Sequence, residues 1–239
     1  LSSSTYFKPT KRKSTILSKT NKIIKMKILN LYACLGGNRY KWNEVKKDIE
    51  VTAVELDEEC ARLYQERFPN DRVIVGDAHQ YLLDHYKEYD FIWSSPPCPT
   101  HSRFNVSMKT KRKMKYPDMN LYQEIIFLDN FYDGKYCVEN VIPFYEPLIP
   151  AKKRGRHLYW SNFNLPNDLK ARKNPDFSRV KDLITVMSKY HDFDFYKYKG
   201  KQRTNKIARN LVDYEAGKTI FKTMLGVVQQ NNTRQNKLF

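Results

Sequence analysis

The chain has 239 residues and a formal charge of +17, from 43 basic and 26 acidic side chains. That length suffices for one well-buried domain with a small appendage, and no stretch approaches the roughly 20 apolar residues a membrane span needs. The basic residues cluster at 109–115, 152–156 and 170–173 with tyrosines and phenylalanines nearby, a pattern that favours a polyanionic partner, nucleic acid first.

In chain order, residues 1–25 are polar, basic and free of acids, without the apolar centre of a secretory signal. They are expected to be a disordered extension, with the native protein starting at Met26. From Lys27 short apolar runs alternate with amphipathic stretches. Strands are expected at 28–33, 51–55, 72–75, 90–94, 136–139 and 157–161, and helices at 57–67, 78–86 and 121–132. Such βαβ alternation predicts an α/β fold with a mostly parallel sheet and helices on both faces. After Phe163 the alternation stops. Residues 164–203 are polar, basic and aromatic, and only 180–187 reads as a helix or buried strand. Residues 211–227 read as a helix packing back on the sheet. The expected layout is a core at 26–163, a small insert at 164–203 and a returning segment at 204–239.

Three strand ends carry features suited to a nucleotide. Leu31-Tyr32-Ala33-Cys34-Leu35-Gly36-Gly37 follows the first strand, and its glycines permit a sharp turn close to a ligand. Glu55 closes the second strand about 20 residues on, where an acid can accept both ribose hydroxyls; Asp57 is the better candidate for a helix-start carboxylate. Gly76-Asp77 after the third strand places another acceptor on the same rim, suited to an adenine amino group. Together they make an adenosine pocket, without separating a dinucleotide from S-adenosylmethionine.

Two further strand ends carry reactive groups. Pro96-Pro97-Cys98 puts a thiol on stiff backbone past the strand at 90–94, and Glu139-Asn140-Val141 puts a carboxylate just past the apolar run Tyr136-Cys137-Val138. A thiol and an acid at neighbouring strand ends can attack an electron-poor ring and manage its proton. The cysteines at 34, 60, 98 and 137 form no CxxC pair, so their spacing supports neither a zinc site nor a redox couple. An isolated reactive thiol fits a reducing, non-secreted compartment. Cys34 and Cys137 lie in apolar contexts and are expected to be buried; Cys60 is given no role.

In order and spacing these motifs resemble DNA cytosine-5 methyltransferases over residues 27–163, and less closely over 209–228. The resemblance implies a Rossmann-like S-adenosylmethionine-dependent methyltransferase fold carrying a small target-recognition insert, and no metal. It implies that Cys98 adds to C6 of a flipped-out cytosine, that Glu139 holds the ring, and that Arg154 and Arg156 lie near the target base. The cofactor loop would be Tyr32, Ala33, Leu35, Gly36 and Gly37. Glu55, Leu56, Asp77 and Ala78 would line the ribose and adenine, with Pro96 and Asn210 completing the site. Ser102 matches the small hydroxyl residue after the cysteine loop. Departures are Cys34 where the family has glycine, Leu56 where an aromatic is common, Pro99-Thr100-His101 in place of a glutamine-led sequence, and Lys152 in place of glutamine. His101 reads as a solvated loop residue.

The partner so implied is double-stranded DNA, with a second specificity subunit or a bound RNA as a complement to the short insert. Expected DNA contacts are Arg103, Lys109, Lys111, Arg112 and Lys113 beside the cysteine, and Arg172, Arg179 and Arg203 in the insert, where Lys170, Lys173, Tyr190, Tyr196 and Tyr198 also stand. The protein would act in the cytoplasm of a bacterial, phage- or virus-infected cell, or wherever its DNA lies; restriction–modification, viral self-marking and regulation all fit. Rival readings are an RNA cytosine-5 methyltransferase, an amino-methyltransferase suggested by Ser95-Pro96-Pro97, and a catalytically silent DNA-binding subunit.

Overall fold

A computed structural model describes residues 25–107, 110, 113–173, 175 and 182–227. The extension at 1–24 and the expected DNA contacts Lys109, Lys111, Arg112 and Arg179 lie outside the described residues.

Seven strands form one sheet: β1 (Met26–Leu31), β2 (Ile49–Glu55), β3 (Arg72–Val75), β4 (Phe91–Ser94), β5 (Lys135–Val141), β6 (Lys152–Arg154) and β7 (His157–Ser161). Their order is β3-β2-β1-β4-β5-β7-β6. The first five run parallel, while β7 is antiparallel to β5 and to β6. Strand order therefore reverses between β1 and β4, with β2 and β3 added on one side and β4 and β5 on the other, the place where open α/β sheets bind ligands beyond their carboxyl ends.

The period-2 alternation of the strands divides the core. Leu29, Leu31 and Ile92 face one side, where helices α3 (Ala78–His85) and α5 (Asn120–Phe131) supply Leu82, Leu121, Ile125 and Leu128. Ile28, Phe91 and Trp93 face the other and meet Trp42 of the short α1 (Trp42–Val45) and Ile220 and Phe221 of α8 (Tyr214–Met224). Burying each such aromatic or aliphatic side chain contributes about 1.5–3 kcal/mol. Asp57 caps α2 (Glu58–Arg67) by accepting from the amides of Glu59 and Cys60, at 3.1 and 3.0 Å. Asp77 caps α3 in the same way.

Four sequence expectations are corrected. The first strand ends at Leu31 rather than 33, because Tyr32 and Cys34 adopt left-handed backbone (φ +55° and +47°). The strand β6 is an addition, hairpinned to β7 through Gly155 at φ +57°. The expected helix at 211–227 is α8, which starts only at Tyr214 because the Asp213 carboxylate accepts from the amides of Glu215 and Ala216, and a separate helix, α7 (Thr204–Asn210), precedes it. Within the insert, the helix α6 (Leu183–His191) begins later than 180 because Asp182 is its cap.

The loop after β1 is braced from below. Arg39 donates twice to Asp71, both at 2.9 Å, and Tyr64 donates to the same carboxylate at 3.0 Å. Both ionic partners are about 95% buried. Asp71→Asn would leave the guanidinium charge uncompensated, and a loss of about 3–5 kcal/mol in unfolding free energy is expected from urea titration. A loss under about 1 kcal/mol would show that water reaches the pair.

Candidate active site

The carboxyl ends of β1, β2, β4 and β5 open into one cleft of about 1900 Å3. Tyr32, Ala33 and Gly37 from the first loop, Glu55 and Leu56 after β2, and Asp77 and Ala78 after β3 line its near end. Pro96, Cys98, Glu139, Arg154, Arg156, Arg172 and Asn210 line the rest. Two residues expected at the cofactor do not face it. Leu35 is fully buried beneath the loop among Leu63, Met187 and Phe195. Gly36, at φ +67°, backs onto Tyr64 and Phe68, where an added Cβ would come within 2.4 Å of a ring carbon. Its glycine serves packing and the turn.

The near end presents hydrogen-bonding groups with capacity left over. The two oxygens of Glu55 accept from the amides of Cys34 (2.7 Å) and Asp57 (2.8 Å), which orients the carboxylate and leaves further lone pairs on its rim. Burial raises the Glu55 pKa against these two amides, which lower it. Asn30, wholly buried on β1, accepts from Asn38 at 2.7 Å but leaves its own Nδ2 unpartnered among residues that line the cleft. Leu56 is 73% exposed, an apolar face available to a flat ring. A nucleoside with a charged amino-acid tail fits this donor and acceptor set. Cys34 is not buried as expected; it is half-exposed in the cleft, on backbone that favours glycine by about 1–2 kcal/mol.

At the chemical end, β4 and β5 are hydrogen-bonded neighbours, and Glu139, Asn140 and Val141, expected just past the apolar run, are instead the last three residues of β5, held there by pairing with β7. Asn140 donates from Nδ2 to the carbonyl of Pro96 at 3.0 Å and ties the two strand ends together. Cys98 follows on stiff backbone, and its carbonyl accepts from the amides of His101 and Ser102. Glu139 is 7% exposed, with one oxygen 3.4 Å from His157 Nε2. Burial and then the Glu139 charge push the Cys98 thiol up to about 11, with Lys206 of α7 pulling weakly the other way. The thiol and carboxylate therefore sense each other across one cleft.

His101, read from sequence as solvated, is 1% exposed and shares a 2.5 Å hydrogen bond with Tyr145. Burial holds it below the usual histidine range, so it stiffens the cysteine loop as a neutral ring. Beyond it, α4 (Arg103–Ser107) starts with exposed Arg103. Asn105, buried, clamps the backbone of Lys115 from both sides, at 2.7 and 3.1 Å. Ser102 bridges to Pro143, and exposed Lys113 lies near the far stem of this loop.

Two arginines are held from within. Arg154 donates to the carbonyls of Pro166 and Leu165. Arg172 binds Asp213 at 2.9 Å and lies on the rings of Tyr190 and Tyr214, so its expected role on DNA gives way to a clasp between the insert and α8. Arg156 sits exposed in the β6–β7 turn, facing the cleft, while exposed Arg203 precedes α7 outside it. The insert itself docks on the near end: Tyr198 and Gln202 both donate to Asp57 at 2.9 Å.

Sequence reasoning missed Glu124. Wholly buried on α5, it accepts from Tyr32 (2.5 Å) and Ser94 (2.6 Å) and meets His79 at 3.0 Å. It fixes the first loop, β4 and α3 to one point under the cleft. Its only signal was an acid on the apolar stripe of a predicted helix.

With this geometry in place, the comparisons are decisive on family. Residues 26–144 match the model of the C-5 cytosine-specific DNA methylase family. Residues 26–144 carry that family's domain. Its fold resembles the Entamoeba histolytica methyltransferase EhMeth, with a TM-score of 0.50 at 10% identity over 87% of this chain and 100% of that one. A DNMT2 variant from Spodoptera frugiperda is 26% identical over 49% of this chain and 36% of its own, with a TM-score of 0.37. A DNA modification methyltransferase encoded within an Escherichia coli prophage, described as putative, is 18% identical over 51% of this chain and 34% of its own, with a TM-score of 0.35. The chain spans about a third of the DNMT2 chain it matches. No curated protein sequence matches it. Among the described residues no cluster of His, Cys, Asp and Glu could hold a metal, and no helix is long and apolar enough to cross a membrane.

Proposed function

We propose that this cytosine-5 methylase acts on DNA, using S-adenosylmethionine, through a covalent adduct on Cys98. The observation that carries the reading is the pairing of Cys98 with Glu139 in one cleft whose other end offers Glu55, Leu56, Asp77 and the unpartnered Asn30 amide.

Cytosine C5 is too weak a nucleophile to take a methyl group unaided. The Cys98 sulfur adds to C6, and the displaced electron pair makes an enamine with a nucleophilic C5. Glu139 holds N3 and the exocyclic amine while that charge builds. Once the base engages Glu139, its charge no longer opposes the thiolate, so target binding itself activates Cys98. Glu55 and Asp77 would hold the ribose and adenine, and Asn30 the cofactor's carboxylate. S-Adenosylmethionine bound there supplies the electrophilic methyl. Loss of the C5 proton then lets the sulfur leave.

The target atom is hidden in a duplex, and extruding the base costs a few kcal/mol. Arg103 and Lys113 beside the cysteine loop and Arg156 in the β6–β7 turn supply phosphate contacts to offset it, so binding is expected to weaken steeply with salt.

The test is trapping on 5-fluorocytosine duplexes with cofactor present. Fluorine does not leave as a proton does, so a denaturant-resistant adduct mapping to Cys98 is expected. An adduct on fluorinated RNA alone would replace DNA by RNA; no adduct on either would overturn the covalent mechanism.

A further inference from the structure

Cys34 and Cys60 are far apart in sequence and together in space. Cys34 lies three residues beyond β1, half-exposed in the cleft; Cys60 lies in the first turn of α2, 1% exposed. Cys34 packs on the apolar cluster that contains Cys60, and both line the cleft's near end. The neighbouring Cys34 side chain, and then burial, raise the Cys60 pKa far above an ordinary thiol's. Each is anchored beside a carboxylate of the same short segment: the Cys34 amide on Glu55 at 2.7 Å, the Cys60 amide on Asp57 at 3.0 Å.

The identity of residue 34 makes the pair more than packing. Its φ of +47° is a conformation in which glycine is unstrained and cysteine is not. A strained side chain in a ligand cleft points to a use for that side chain.

We infer that Cys34 and Cys60 form a reversible disulfide that loosens the cofactor site when a peroxide is present. The Cys34 sulfur, at the cleft wall, attacks the peroxide, giving a sulfenic acid and one water. The Cys60 sulfur then attacks that sulfur, its proton leaving with the hydroxyl as a second water. Two thiols are oxidised and one peroxide is reduced. The new bond of about 2.05 Å is far shorter than the contact between two thiols. It draws residue 34 toward α2 and breaks the hydrogen bond that its backbone amide donates to Glu55, freeing the carboxylate that the proposed function places on the ribose. The inference rests on that reading of the cleft.

The experiment uses the full chain in a Cys98→Ser background, so that the proposed nucleophile takes no part. Peptide mapping after hydrogen peroxide should find a 34–60 linkage that dithiothreitol reverses. Calorimetry with S-adenosylhomocysteine should show affinity at least tenfold weaker in the oxidised protein and restored on reduction. Adding Cys34→Ser, or separately Cys60→Ala, should abolish the peroxide effect; two positions guard against one variant folding poorly. Cysteines that stay unlinked, or a linkage that leaves affinity unchanged, would overturn the switch. Reduced protein that fails to bind the probe would overturn the cofactor reading beneath it, while the peptide map still decides whether the pair forms.

Discussion

Cys98→Ser is expected to eliminate the 5-fluorocytosine adduct and to lower methyl transfer by about 10 000-fold or more, since a hydroxyl cannot replace a thiolate as the attacking group. The measurement is single-turnover transfer of labelled methyl, with cofactor binding as the control; residual transfer within tenfold of wild type would move the chemistry to another group. The same thiol predicts a pH profile for the free protein. With its pKa pushed to about 11 by burial and by Glu139, about one Cys98 in a thousand is ionised at pH 8. Alkylation by iodoacetamide should therefore climb roughly tenfold per pH unit towards 11. A plateau below pH 9 would mean the thiol is activated before any target arrives.

Glu139→Gln should separate two quantities that usually move together. Turnover is expected to fall about 100- to 10 000-fold, because the ring loses the carboxylate that holds it as charge develops. Alkylation of Cys98 in the free protein should instead rise, by about threefold or more at neutral pH, because the charge that opposes the thiolate has gone. A fall in both would mark Glu139 as a support for the loop and would remove it from the chemistry.

Those outcomes depend on side chains whose legibility in sequence was uneven, for physical reasons. β1, β2, β4 and β5 announce themselves because buried parallel strands need continuous apolar runs. The edge strand Lys152–Arg154 has three polar residues and no alternation to read. The start of α8 was read too early because Leu211 and Val212 extend its apolar stripe back across the turn that Asp213 caps. Cys98 and Glu139 stood out because each follows a buried apolar run, Cys98 in the loop beyond β4 and Glu139 near the carboxyl end of β5. Glu124 did not, since its burial requires Tyr32, Ser94 and His79 to arrive from three other elements. His101 looked solvated for the same reason: Tyr145, its partner, is 44 residues away.

The docking of Tyr198 and Gln202 onto the cap of α2 bears on how such a chain acquires new targets. Where the recognition segment is a detached module, specificity can be exchanged like a cassette. Here the segment after Phe163 is riveted to the edge that would hold the cofactor, with Arg172 fastening it again to Asp213. A transplanted segment would arrive without those fastenings and would disturb methyl-donor binding along with target choice.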